Sequence, residues 1–109
     1  MPRMSKWYGF KSEQADLAPE KAGVYQLAYK DVVVYIESST SSIRSRLRQH
    51  KERKTFVKVT HFCFCKTDPE EARALEIKLC KEFEKVNGKR PRLQERAPRT
   101  RPLSWLDWK

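Results

Sequence analysis

The chain has 109 residues, a formal net charge of +10 at pH 7 and a pI near 9.8, so it holds one compact domain and is too short for two. Charge of this sign and size points to a polyanionic partner, because neutralised phosphates supply most non-specific nucleic-acid affinity. No apolar run reaches the ~20 residues of a membrane span, and residues 1–10 lack the apolar stretch of a secretory signal, which predicts a cytoplasmic protein with no membrane partner.

In chain order, residues 1–22 read as a polar lead-in carrying Trp7, Tyr8, Phe10 and Pro19. Gly23 to Tyr29 alternates and is rich in β formers, and Val32 to Ile36 follows after only Lys30 and Asp31, which predicts a β-hairpin. A plain two-residue turn would put Tyr25 and Tyr35 on opposite faces, so a shared face requires a bulge, for example Ala28 opposite Val32. Ser38 to Ser42 is a polar loop able to cap a helix from about Ile43 to Lys51, and Phe56 to Lys66 reads as a third strand. The next helix starts cleanly: Asp68 as N-cap, Pro69 at the first position and Glu71 at the third. It is predicted to run to about Val86 and stop at Asn87-Gly88. Residues 95–109 form a basic, aromatic tail. The order β-β-α-β-α predicts an α+β domain over residues 23–94, with a small three-stranded antiparallel or mixed sheet flanked by helices.

Some polar residues stand where apolar ones belong. Ala72, Leu75, Leu79, Cys80 and Phe83 form one stripe at helical spacing, and Glu76 falls inside it. A carboxylate there is costly unless it is paired or holds a cation, so it is either a salt-bridge partner, a rim position that reaches water, or a metal ligand or catalytic group. On the preceding helix Ile43 and Leu47 mark the inner face, and Arg46 and His50 lean the same way. Arg44, Arg48 and Lys51 fall on a different face, free for solvent or phosphate. Converging Arg46, His50 and Glu76 could bind a scissile phosphate and a metal, or make a buried ion pair.

Three cysteines, Cys63, Cys65 and Cys80, read as reduced thiols. His61, Cys63 and Cys65 share a strand face, but their spacing matches no common zinc pattern, and core packing is the expectation.

Gly23-Val24-Tyr25 and Tyr35-Ile36-Glu37 resemble the paired signatures of the GIY-YIG nucleases. Arg46 to His50 resembles the family's helix after the second signature, and Glu70 to Glu76 resembles its later helix. The resemblance covers residues 23 to about 94. It implies that Tyr25 and Tyr35 line an active site, with Tyr25 activating the attacking water. Arg46 would bind the phosphate, His50 would fill a position that holds Tyr or His, and Glu76 would bind Mg2+ or Mn2+, with substrate phosphate completing the site. The late family Asn has two candidates, Asn87 and Gln94. Glu37 stands where the family usually has Gly, and the loop from Tyr35 to Arg46 is one residue longer than usual.

The function implied is a metal-dependent endonuclease cleaving phosphodiester bonds in DNA. The alternative is a GIY-YIG-fold module that binds DNA or RNA without turnover, a reading that the extra negative charge of Glu37 favours. Nucleic-acid contacts are expected from Arg44, Arg48 and Lys51, and from Lys89, Arg90 and Arg92. Arg96, Arg99 and Arg101 continue that basic run toward Trp105 and Trp108, rings able to stack on bases or pack on the domain. No attached specificity domain is visible, so a partner subunit or simple structure-selectivity is expected to supply specificity, and the sequence leaves a homodimer open.

Overall fold

A computed structural model describes residues 3–91 and residue 93, with the backbone alone at residue 55. Four antiparallel strands form one sheet: β1 (Tyr8–Gly9), β2 (Gly23–Tyr29), β3 (Val32–Ser39) and β4 (His61–Lys66), in the order β1-β4-β2-β3. Three helices accompany it: α1 (Ser12–Ala15), α2 (Ile43–Lys51) and α3 (Pro69–Asn87).

The helices begin and end where their capping residues predict. Ser42 caps α2 by accepting the Ser45 N–H at 3.1 Å. Asp68 and Glu71 make the reciprocal capping box of α3, and Gly88 ends it in the left-handed conformation at φ 78°. Gly23 is required for a different reason. A Cβ there would stand 2.1 Å from the Cys65 carbonyl oxygen and 2.7 Å from Ile43 Cδ1, so only glycine lets β4 and α2 approach.

Two expectations need correction. The sheet has four strands, not three, because the stretch read as a lead-in supplies β1 and α1. Phe10, Ala15 and Ala18 are buried in the same core as Ile43 and Leu47. The backbone of this stretch also closes the start of α2: the Ile43 and Arg44 N–H groups donate to the Lys21 and Pro19 carbonyls at 3.0 and 3.1 Å. The strand expected from Phe56 starts only at His61. Lys54–Phe56 forms a single 3-10 turn that drives the Phe56 ring against His50, 4.4 Å between centroids.

The hairpin carries the required bulge at a different place. Tyr29 pairs with Val32 and Ala28 with Val33, but Leu27 pairs with Tyr35, so Val34 is the extra residue. The Leu93 N–H donates to the Val34 carbonyl at 2.8 Å, and Leu93 itself is buried. Beyond the bulge Tyr25 lies opposite Glu37, which places Tyr25, Tyr35 and Glu37 on one face.

Each sheet face has its own core. The α2 face gathers Tyr25, Leu27, Val34, Ile43, Leu47 and Phe62. The α3 face is smaller, with Val24, Ile36 and Ala72 backed by Leu75, Leu79 and Phe83.

Candidate active site

Five side chains meet on the α2 face. β2 contributes Tyr25, β3 contributes Tyr35 and Glu37, and α2 contributes Arg46 and His50, one turn apart. Glu37 Oε1 is the hub. It accepts from the Tyr25 hydroxyl and from Arg46 Nη2 at 2.8 Å, and His50 Nε2 lies 3.5 Å away. The second guanidinium arm, Nη1, donates to Gln49 Oε1 at 2.6 Å.

These bonds fix the protons. An ionised carboxylate only accepts, so the single Tyr25 proton points at Glu37. His50 Nε2 is 2.7 Å from that same hydroxyl and must then carry a proton and donate to it. His50 Nδ1 is left as a bare lone pair with no partner among the described residues. The imidazole is fully buried and packed by Tyr25, Tyr35 and Phe56.

Burial holds His50 below the usual histidine range, even though Glu37 pulls the other way, so the ring is neutral at pH 7. Burial pushes the Glu37 carboxyl up, but hydrogen bonds from His50, Tyr25 and Arg46 outweigh it and bring it down to about 2. Burial and then the Glu37 charge raise both phenols, Tyr25 and Tyr35, well above the ordinary tyrosine range. Arg46 loses some proton affinity to burial and gains more from its bond to Glu37, so it stays charged.

This arrangement bears on the role expected of Tyr25. A water-activating phenolate needs solvent contact and a lowered pKa, yet Tyr25 is 0% exposed, its pKa is raised, and its proton is committed to Glu37. Glu37, by contrast, keeps 28% of its side chain exposed and Arg46 keeps 33%. Glu37 is the centre of these contacts, which residue-type reasoning undervalued. Its position two residues after Tyr35 on one strand was the available signal.

Glu76 lies on the other side. On α3 it is half-buried, and its Oε1 accepts from the Ser38 N–H at 3.0 Å and the Ser38 hydroxyl at 2.5 Å. Ser38 directly follows Glu37 on β3, so the two carboxylates flank the end of one strand. Among the described residues Glu76 makes no salt bridge.

The remaining expectations fare differently. Asn87 is exposed, donates to the Phe83 carbonyl at 2.9 Å and lines an open groove with Gln26, Leu79 and Val86, so it joins the α3 end and not the cluster. Gln94, Arg92 and the tail with Trp105 and Trp108 lie outside the described residues. Arg44 and Arg48 are not free. Arg44 donates to the Ala18 carbonyl at 2.9 Å and pairs with Glu20, while Arg48 pairs with Asp16. Lys51 is exposed, its ammonium 5.3 Å from the Phe10 ring centre. Lys89 and Arg90 are exposed, and Arg90 pairs with Glu84 at 3.1 Å. Cys63 and Cys65 are buried with free thiols, and burial pushes the Cys63 thiol up to about 12. Among the described residues no cluster of three His, Cys, Asp or Glu could hold a metal.

The architecture matches known structures. The magnesium-bound N-terminal endonuclease domain of UvrC from Thermotoga maritima superposes with a TM-score of 0.58 at 26% identity, covering 66% of this chain and 88% of that domain. The fold is GIY-YIG-like. Two tyrosine-to-phenylalanine mutants of the same domain, each bound to its catalytic divalent cation, superpose with TM-scores of 0.61 at 24% and 23% identity, covering 77% of this chain and 93% of the domain. No family model and no curated protein matches the sequence. Among the described residues, no helix is long and apolar enough to cross a membrane.

Proposed function

We propose that this chain is a divalent-metal-dependent endonuclease that cleaves phosphodiester bonds, with DNA as its substrate. The observation that carries this reading is the half-exposed Arg46 guanidinium, held against Glu37 on a sheet whose fold matches a metal-bound endonuclease domain. The net charge of +10 supports a polyanionic substrate.

Arg46 donates one arm to Glu37 and the other to Gln49. A guanidinium has five N–H donors in a rigid fork, so donors remain for a phosphate oxygen. Held in place before substrate arrives, they can meet charge that develops in the transition state at little reorganisation cost. Tyr25 and His50 hold the Glu37 carboxylate from beneath.

Glu76 fits a hard divalent cation. Neutral donors from Ser38 orient one of its oxygens, no cation of the described chain competes for it, and the donor set is oxygen. When bound, magnesium would polarise the phosphate and stabilise the leaving oxygen. Selectivity would come from a second copy or a partner protein.

A second reading, a binding module without turnover, is favoured by one observation: Arg46 already has an anionic partner in Glu37. Nicking of supercoiled plasmid separates the two. The nuclease reading expects magnesium-dependent nicking that Arg46→Ala reduces by about 10²–10³-fold, with oligonucleotide binding largely kept. Gel shifts without nicking under any divalent metal would establish the binding module instead.

A further inference from the structure

We infer that Glu37 is the general base of the reaction, the group that takes the proton of the attacking water in place of a tyrosine. The inference rests on the nuclease reading above and assigns a role within that same site.

Three features of geometry lead to it. The first is access. Tyr25 is fully buried beneath the carboxylate, whereas Glu37 has 28% of its side chain exposed at the mouth of the cluster. The second is orientation. Oε1 accepts from Tyr25 and Arg46 and stands 3.5 Å from His50 Nε2, and the Tyr35 hydroxyl bonds the same carboxylate. These contacts orient the carboxylate from below while 28% of the side chain stays open to water. The third is proximity. Arg46 bonds to Glu37 and has spare donors for phosphate, so one guanidinium bridges the base and the group under attack.

The charged and titratable groups facing Glu37 come from every neighbouring element: Tyr25 from β2, Tyr35 from β3, Arg46 and His50 from α2. Arg53, just beyond α2, also acts on Tyr35 and His50. Together they keep the carboxylate ionised at neutral pH, the state that a base needs. Phosphate drawing on Arg46 weakens its hold on Glu37 and raises the carboxylate's proton affinity as the reaction begins.

The step balances. The water oxygen bonds to phosphorus as its proton passes to the Glu37 carboxylate. The bond from phosphorus to the leaving oxygen breaks with its electron pair on that oxygen, which takes a proton from solvent. Glu37 then releases its proton to solvent. Tyr25 and His50 are positioning residues, because they act through the carboxylate they orient.

The test is single-turnover plasmid nicking in magnesium by the wild-type chain, Glu37→Ala and Tyr25→Phe, across pH 6–9, with and without added sodium formate. Thermal melting checks that each variant folds. A general base predicts that Glu37→Ala loses about 10²–10⁴-fold in rate. It also predicts that formate, a small carboxylate entering the vacated space, restores part of that loss. Tyr25→Phe should lose much less and keep a flat pH profile, since the wild-type base is already ionised throughout.

Glu37→Ala as fast as wild type, or faster, would overturn the proposal, because the carboxylate would then merely obstruct the phosphate. Loss without formate rescue, together with a lowered melting point, would make it a structural partner only. A Tyr25→Phe variant that is inert beside a rate rising with pH in the wild type would return the base role to the phenol. A wild-type chain inert with every divalent metal would bring down the nuclease reading and this assignment together. Failure of this assignment alone is recognised by an active wild type.

Discussion

Two glutamates flank the end of β3, and the two sheet faces treat them in opposite ways. On the α2 face Glu37 is held by charged and polar partners: a guanidinium and a phenol donate to Oε1, and an imidazole stands close by. On the α3 face, among the described residues, Glu76 is held only by the neutral N–H and hydroxyl of Ser38. The same strand makes both arrangements, since Glu37 and Ser38 are consecutive and point to opposite faces. The comparison teaches that position in a site does not fix a carboxylate's chemistry; its partners do. A carboxylate neutralised by Arg46 has little left for a metal, whereas one oriented by uncharged donors keeps its full charge for one.

The largest effect that would break this contrast is on Glu76. Glu76→Gln keeps the volume and can still accept from Ser38, but removes the charge. Metal-dependent cleavage should fall by about 10³-fold, the equivalent of several kcal/mol of lost charge stabilisation. Nucleic-acid affinity should hold or improve, because an anion has been removed. A magnesium titration of nicking rate beside an oligonucleotide gel shift reads both quantities. Undiminished nicking by this variant would remove Glu76 from the metal site and leave the α3 face without a catalytic role.

A smaller effect sharpens the α2 side. The Glu37 carboxyl titrates at about 2 in the folded chain against an ordinary value of 4.5. A depressed carboxylate contributes stability that is present above the unfolded value and is lost as pH falls from about 4.5 toward 2. His50 acts in the same direction at higher pH. Its folded value lies below the ordinary 6.5, so stability declines as pH drops below that point and the buried ring must charge. Urea midpoints measured from pH 7.5 to 3 should therefore fall in two stages. Glu37→Gln should lack the lower stage, which is worth on the order of 2–3 kcal/mol. An identical acid profile in the variant would mean that the hydrogen bonds around Glu37 do not hold its charge.

Much of this was legible in the sequence, for identifiable reasons. α2 and α3 could be read because Ser42, Asp68, Pro69 and Gly88 mark their ends and apolar residues recur at helical spacing between them. The bulge could be inferred because two tyrosines had to share a face, though its place at Val34 depends on where Leu93 docks, which no local pattern records. The stretch before Gly23 was opaque because a two-residue strand and a one-turn helix are too short to show a period; Tyr8 and Phe10 gain meaning only when β4 lies alongside. The partners of Glu37 were hidden for a related reason. Its partners lie 9 and 12 positions away, at Arg46 and Tyr25, and sequence spacing shows the lone charge but not what satisfies it.

The smallest expected effect concerns the outer face of α2, where the sequence suggested free phosphate-binding arginines. An arginine bound to phosphate releases about one counterion, so its removal should lower the slope of log K against log salt by roughly 0.7–0.9. Arg48, however, is paired with Asp16, and both side chains are about half exposed, at 52% and 56%. Removing Arg48 should therefore change the slope by less than one counterion and weaken binding slightly, equally for all sequences, as the uncovered Asp16 repels the backbone. The lost surface pair should lower stability by only about 0.2–1 kcal/mol. Asp16→Asn should do the reverse, releasing Arg48 toward phosphate and steepening the salt dependence. Affinity for a short duplex, measured by fluorescence anisotropy across a salt series, reads all three chains. A full loss of roughly 0.7–0.9 in slope for Arg48→Ala would mean that Arg48 abandons Asp16 when nucleic acid binds. The face that α1 now neutralises would then belong to the binding surface after all.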